Sequence, residues 1–139
     1  MYKINGIPNF VKDYAEYFTD NQMEGQSLPN ATTTNCTNVI TLNSSMGSVE
    51  VVTVAVEGFT IAGGQTLTLT INECDSDGSS AVSLATMATV PAGTYAAGDE
   101  LARFILPTDA NGYFSASITA SANQSGAGKI MIIPTYLPR

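Results

Sequence analysis

Chemistry-bearing side chains are densest in one stretch, INECDSDGSS at residues 71–80. Glu73, Cys74, Asp75 and Asp77 stand close together there, and Gly78, Ser79 and Ser80 follow. Carboxylates at this spacing suit a hard cation, so a calcium loop is the first chemistry to test. An EF-hand-type loop needs glycine at its sixth position and a bidentate carboxylate at its twelfth. Counted from Asp75, the glycine falls at the fourth position and the twelfth is Thr86, so the pattern fails. Asp75 and Asp77 remain weak candidates for a calcium site shared between subunits, with no metal ligand set assigned. The competing reading is a hairpin. Asp-x-Asp-Gly supplies Asx-turn oxygens and a glycine able to take positive φ where a strand reverses. Turns of this composition are far commoner than metal sites, and the hairpin is preferred.

Catalysis has little to work with. The chain has no histidine, so the commonest general base and the Ser-His-Asp arrangement are both absent. A carboxylate pair remains conceivable for glycoside hydrolysis, but aromatic-lined clefts go with that chemistry and there is no tryptophan. Asp99, Glu100 and Asp109 sit beside glycines in turn contexts, where solvated caps are expected. GGQT and GAGK lack the Walker spacing, and GAGK leads into a strand. The expectation is a protein that is not an enzyme and carries no cofactor. Tyr95 and Tyr113 are candidate stacking platforms for a sugar, against the plainer reading of rim packing.

Cys36 and Cys74 match no metal or redox spacing. The N-terminus, MYKINGIPNF, lacks the apolar core of a signal peptide, and no stretch approaches a membrane span. Synthesis in a reducing cytoplasm is therefore expected, with both thiols structural rather than paired.

Positioning these residues falls to short strands. From about residue 37 the chain reads as strands at 37–42, 49–57, 66–74, 82–88, 101–106, 113–121 and 129–136, separated by turn-forming stretches. Period-two alternation puts Leu67, Leu69 and Ile71 on one face and Thr66, Thr68, Thr70 and Asn72 on the other. In 113–121, Phe114, Ala116, Ile118 and Ala120 oppose Tyr113, Ser115, Ser117 and Thr119. Strands 49–57 and 129–133 are apolar on both faces. Either the N-terminal segment covers them or they line a subunit interface. The fold expected is all-β, a jelly-roll-like or β-sandwich domain over 36–139, with about seven to eight antiparallel strands.

Residues 1–35 stand apart as an N-terminal arm or short helix followed by a polar linker from residue 19. Five of the chain's aromatics lie in the first eighteen residues. Phe10, Val11, Tyr14, Tyr17 and Phe18 fall at helical spacing, with Asn9 as a cap and Lys12, Asp13 and Glu16 facing water. So short a helix must dock on something. It covers its own domain or reaches a neighbouring subunit. Tyr2, Ile4, Ile7, Phe10, Tyr14, Tyr17 and Phe18 are the candidate subunit or partner contacts.

Composition narrows the partners. Charged residues are only 12% of the chain, about half the usual share, and the formal charge is −7. Thr, Ser, Asn and Gly replace the missing charge, which suits sheets with hydroxylic outer faces. Acidic charge with five scattered basic residues repels a phosphate backbone, so nucleic acid is excluded as a partner. The acidic surface keeps particles apart in solution.

Four stretches carry a family resemblance: TNVITLNSSMGSVEVVTVAVEGF from residue 37, GGQTLTLTINECDSDGSSAVSLATM from 63, PAGTYAAGDELARFILPTDANGYFSASI from 91, and SGAGKIMIIP from 125. In their order of strands and turns they resemble the capsid cement, or decoration, proteins of tailed bacteriophages, the podophage-type cement family in particular. The resemblance implies a structural virion protein, made in the host cytoplasm and bound to the outer surface of the mature head. It implies a homotrimer at local three-fold positions that clamps subunits of the major capsid protein. The alternative is a carbohydrate- or receptor-binding β-sandwich, such as a phage fibre or adhesin component.

Overall fold

β-branched residues dominate the stretches that pair, and glycines with positive φ punctuate them, at Gly25, Gly64, Gly78, Gly98, Gly112 and Gly128. The structure, a computed structural model, describes residues 3–4, 7–8, 25–36, 38–41, 49–106, 112–122 and 128–136. Among them are thirteen strands. They are β1 (Lys3–Ile4), β2 (Ile7–Pro8), β3 (Gln26–Ser27), β4 (Thr33–Asn35), β5 (Ile40–Thr41), β6 (Val49–Glu57), β7 (Phe59–Ile61), β8 (Leu67–Glu73), β9 (Val82–Val90), β10 (Gly93–Tyr95), β11 (Glu100–Ile105), β12 (Tyr113–Ala120) and β13 (Lys129–Tyr136). Every described pairing is antiparallel.

Two sheets make the body. One has the order β11-β6-β13-β3, and the other β4-β12-β8-β9, with β5 pairing β12 as well. The chain passes from sheet to sheet along most of its length. Only β8 and β9 are consecutive strands that pair within one of these sheets. A two-stranded ribbon, β7 with β10, joins Phe59–Ile61 to Gly93–Tyr95. The arrangement is all-β and consistent with a β-sandwich.

The core lies between the two sheets. β6 contributes Val51 and Ala55, and β13 contributes Ile130 and Ile132. From the other sheet come Leu67, Leu69, Ile71, Met87, Val90, Phe114, Ala116, Ile118 and Ala120. Phe59 and Ile61 close one end, and Cys36, Ile40 and Leu106 complete the cluster. The inward residues expected for 66–74 and 113–121 are buried, but Asn72, Ser115 and Ser117 of the outward set are buried as well. Leu67, Leu69, Ile71, Ala116 and Ile118 are completely buried. Burial of a Leu or Ile side chain contributes roughly 1.5–3 kcal/mol, so these few strands supply much of the folding free energy.

Six strands lie outside the expected set, β1, β2, β3, β4, β7 and β10. Residues 19–35 read as a linker, yet Gln26–Ser27 pairs with Lys129–Ile130 and Thr33–Asn35 pairs with Ser117–Thr119. Polarity conceals such edge strands, because their outer side needs no apolar alternation. Gly25 explains the close approach of β3. Its φ is +70°, and a Cβ there would stand 2.7 Å from the Ile130 carbonyl oxygen. Lys3–Ile4 pairs with Ile7–Pro8. The helix expected over 10–18 lies outside the described residues.

Candidate functional site

The acidic stretch is the connection of the β8–β9 hairpin. Glu73 pairs with Val82, and the intervening residues fold back through local hydrogen bonds. Asp75 N–H donates to the Ser79 carbonyl at 2.9 Å, and Gly78 N–H to the Asp75 carbonyl at 2.8 Å. Ser79 N–H donates to Asp77 Oδ1 at 2.9 Å, and its hydroxyl to Asp75 Oδ2 at 3.2 Å. Gly78 and Ser80 take positive φ, as the reversal requires. Hydrogen bonds from Ser79 hold the exposed Asp77 carboxyl below its ordinary value. Both carboxylates thus serve the turn itself. Among the described residues, no group of three or more acidic or cysteine side chains could hold a metal ion.

Cys36 and Cys74 are buried and not joined to each other. Each anchors its segment to β12, but from opposite sides. Cys36 N–H donates to the Ala116 carbonyl on the β4 and β5 side, and Cys74 N–H to the Tyr113 carbonyl on the β8 side. With a strand between them and a three-residue offset along it, they stand farther apart than two interstrand spacings of roughly 9–10 Å, beyond the Cα separation of a disulfide. Burial pushes the Cys36 thiol up to about 12, so it stays protonated and unreactive at neutral pH.

Of the two candidate stacking tyrosines, Tyr95 is taken up in packing. The Tyr95 ring stacks on Phe59 with centroids 5.3 Å apart, and its hydroxyl donates to the Pro91 carbonyl at 2.8 Å. Tyr95 therefore pins the β7–β10 ribbon to the end of the core. Tyr113 is half-buried on β12, across from Thr41.

What the tertiary structure brings together is a pair of unlike outer faces. On the β4-β12-β8-β9 sheet, registers align hydroxyls and amides in rows across the strands. Thr33, Thr119, Thr68 and Thr89 form one row. Asn35, Ser117, Thr70 and Thr86 form the next, and Ser115, Asn72 and Ser83 a third. Thr33 and Thr119 hydroxyls, 2.7 Å apart, tie the first row internally, and Asn72 Nδ2, donating to Ser117 Oγ at 3.3 Å, joins the third row to the second.

On the β11-β6-β13-β3 sheet the outer face is apolar at its centre. Cross-strand pairs place Met131 beside Val54 and Ile133 beside Val52. At the β11 edge Arg103 closes a charge cluster. Its guanidinium donates twice to Glu100, at 2.7 and 2.8 Å, and once to Glu50 at 2.8 Å. Lys129 pairs with Glu57 at 3.2 Å. Arg103 and Lys129 are thus each matched to carboxylates.

Of the expected contact residues, Ile4 and Ile7 lie directly across the β1–β2 pair from each other, which places them on one face of that hairpin. Tyr2, Phe10, Tyr14, Tyr17 and Phe18 lie outside the described residues. Among the described residues no helix is long and apolar enough to cross a membrane. No family model matches the chain, and no curated protein matches it.

Proposed function

We propose that this protein is a structural component of a bacteriophage head, a decoration protein that binds the outer surface of the mature capsid. The strand order is the observation that carries this reading. With β4 and β5 taken as one broken strand and the β1–β2 and β7–β10 ribbons set aside, eight strands remain. They alternate between the sheets in the orders β3-β13-β6-β11 and β4-β12-β8-β9. In chain order the first of these pairs with the eighth, the second with the seventh, the third with the sixth and the fourth with the fifth, a nesting we read as a jelly roll. That architecture recurs in viral capsid domains and in lectins. The four stretches that resemble cement proteins fall in sequence on β5–β6, β8–β9, β10–β12 and β13 of this body.

A decoration protein needs no active site. It stabilises the expanded head because it binds that lattice and not its precursor, so occupancy adds to head stability by mass action. Three copies engaging at a local three-fold position gain further from avidity. The partners in this reading are the major capsid protein and two further copies of the chain, with neither nucleic acid nor membrane engaged. The N-terminal segment, from Tyr2 through Phe18, supplies the contacts.

Purified protein mixed with expanded, undecorated heads tests the reading. Co-sedimentation that saturates at three copies per local three-fold position is expected, together with a trimer by light scattering. A monomer that leaves the heads bare overturns it.

The second reading is a carbohydrate-binding module, and the hydroxyl rows on the five-stranded sheet favour it, because Ser, Thr and Asn match sugar hydroxyls. A glycan screen separates the two. Saturable glycan binding, lost on replacing Thr70 and Thr86, selects the module over the decoration protein.

A further inference from the structure

Among the described residues, no charged side chain stands on the outer face of the β4-β12-β8-β9 sheet. β4, β5, β9 and β12 contain none, and Glu73 of β8 lies directly across from Phe114, on the core side. Glu50, Glu57, Glu100, Arg103 and Lys129 all belong to the other sheet. In a chain of formal charge −7 this is a departure, since a soluble surface is ordinarily about a quarter to a third charged. Tyr113 stands on the same face as the hydroxyl rows, two residues before Ser115 on β12. Exposure rises from the middle of this face to its margins. Thr68, Thr70 and Thr119 are half-buried, and Asn35, Thr86 and Thr89 are exposed.

That composition selects a ligand class. An anion finds no cation here and a cation no carboxylate, so either would lose hydration without a counter-charge. An apolar ligand would strip water from the hydroxyls and return no hydrogen bond. A protein interface is built around an apolar, aromatic centre, whereas the centre of this face is Ser117, Thr70 and Asn72. A neutral sugar meets every condition. Its hydroxyls both donate and accept, as those of Ser and Thr do, and the apolar side of its ring packs on an aromatic face. From Tyr113 to Thr119 the strand runs about 20 Å, room for several sugar rings in line.

We propose that a neutral, unbranched oligosaccharide lies along the β12–β8 pair, with one ring stacked on Tyr113 and the rings beyond it hydrogen-bonded by Thr70, Thr68 and Thr119. The inference rests on the carbohydrate reading of this face, and it adds the position of the site, the axis of the ligand and the exclusion of acidic sugars. Asn72 and Ser117 bond each other and flank Thr70, one along its own strand and one across from it. They fix the frame in which the Thr70 hydroxyl is offered. Tyr95 takes no part, because its ring packs on Phe59.

The full chain applied to an array of neutral hexose and N-acetylhexosamine oligosaccharides, printed beside sialylated and uronic-acid ones, tests this. Binding to neutral members and none to acidic members is expected. Tyr113→Leu removes the ring, and Thr70→Val removes a hydroxyl at constant shape. Each is expected to weaken binding to the same neutral members by about tenfold. Tyr113→Phe keeps the ring and should hold binding within about threefold. Urea midpoints check that the variants are folded, and if Tyr113→Leu is not, Thr70→Val and Tyr113→Phe decide. An array that stays blank overturns the carbohydrate reading and this inference with it. Neutral binding that survives in folded Tyr113→Leu and Thr70→Val variants leaves that reading standing and overturns the site. Acidic members bound as tightly as neutral ones overturn it too.

Discussion

The two outer faces of the sandwich share one core but make opposite demands. The hydroxyl face of the β4-β12-β8-β9 sheet pairs its groups across strands and meets water without penalty. Its Ser115, Ser117 and Asn72 are buried among like neighbours, and the Asn72–Ser117 hydrogen bond satisfies part of that burial. The apolar face of the β11-β6-β13-β3 sheet gains nothing from water, and its central side chains Met131, Ile133 and Val52 are buried.

Charge placement separates the faces most strongly. Met131→Asp puts an unpaired carboxylate into a buried apolar site, and a loss of about 3–5 kcal/mol is expected. Thr70→Asp, at the centre of the hydroxyl face, is expected to cost about 1 kcal/mol or less. Urea midpoints of the two variants make the measurement, and equal losses would break the comparison. Next in size is Gly25→Ala. Positive φ and the 2.7 Å approach of its Cβ to the Ile130 carbonyl predict a loss of about 2–3 kcal/mol. Gly64→Ala has positive φ but open space, and about 1 kcal/mol is expected there. Hydrogen exchange at residues 128–131 should rise in the first variant alone, since β3 is released from β13.

The third effect has the opposite sign and sits beneath the apolar face. Thr53 is fully buried on β6, and its hydroxyl has no hydrogen-bond partner. Thr53→Val keeps the shape and removes the orphaned group, so a gain of about 1 kcal/mol is expected in thermal or urea unfolding. The smallest effect belongs to the turn. Asp77 is held below its ordinary value in the folded chain, so its contribution is present above the unfolded-state value and is lost as pH falls through the lower, folded one. Asp77→Asn should therefore flatten the acid limb below about pH 4, with its small loss of stability appearing at neutral pH and vanishing in acid. An unchanged acid limb would show that the Ser79 hydrogen bonds do not persist in solution.

The long strands were legible because their side chains answer to two environments at once. Val49–Glu57, Leu67–Glu73 and Tyr113–Ala120 came out within a residue or two of expectation, since alternation records which side of each pleat is buried. The hairpin at Asp75–Gly78 was legible for a local reason, as Asp and Gly set turn geometry without help from the rest of the chain. β3, β4, β7 and β10 were not legible. They are two or three residues long and edge-bound or terminal, and their pairing is enforced by Ile130, Ser117 and one another rather than by their own pattern. The hydroxyl rows were half visible. Sequence put Thr68, Thr70 and Asn72 on one face, but only the register set them beside Thr119, Ser117 and Ser115.

By itself the sequence determined the all-β class, the inward residues of the main strands, the acidic turn and the two-faced character of 49–57 and 129–133. These follow from contacts within a few residues, where backbone geometry fixes what alternation means. The tertiary structure decided the strand orders, the separation of Cys36 from Cys74 by β12, and the use of Tyr95 as a pin on Phe59. Each of those depends on which distant strands become neighbours. That choice is made by the shared core as a whole, because burying one apolar face per sheet is a condition no single segment can satisfy alone.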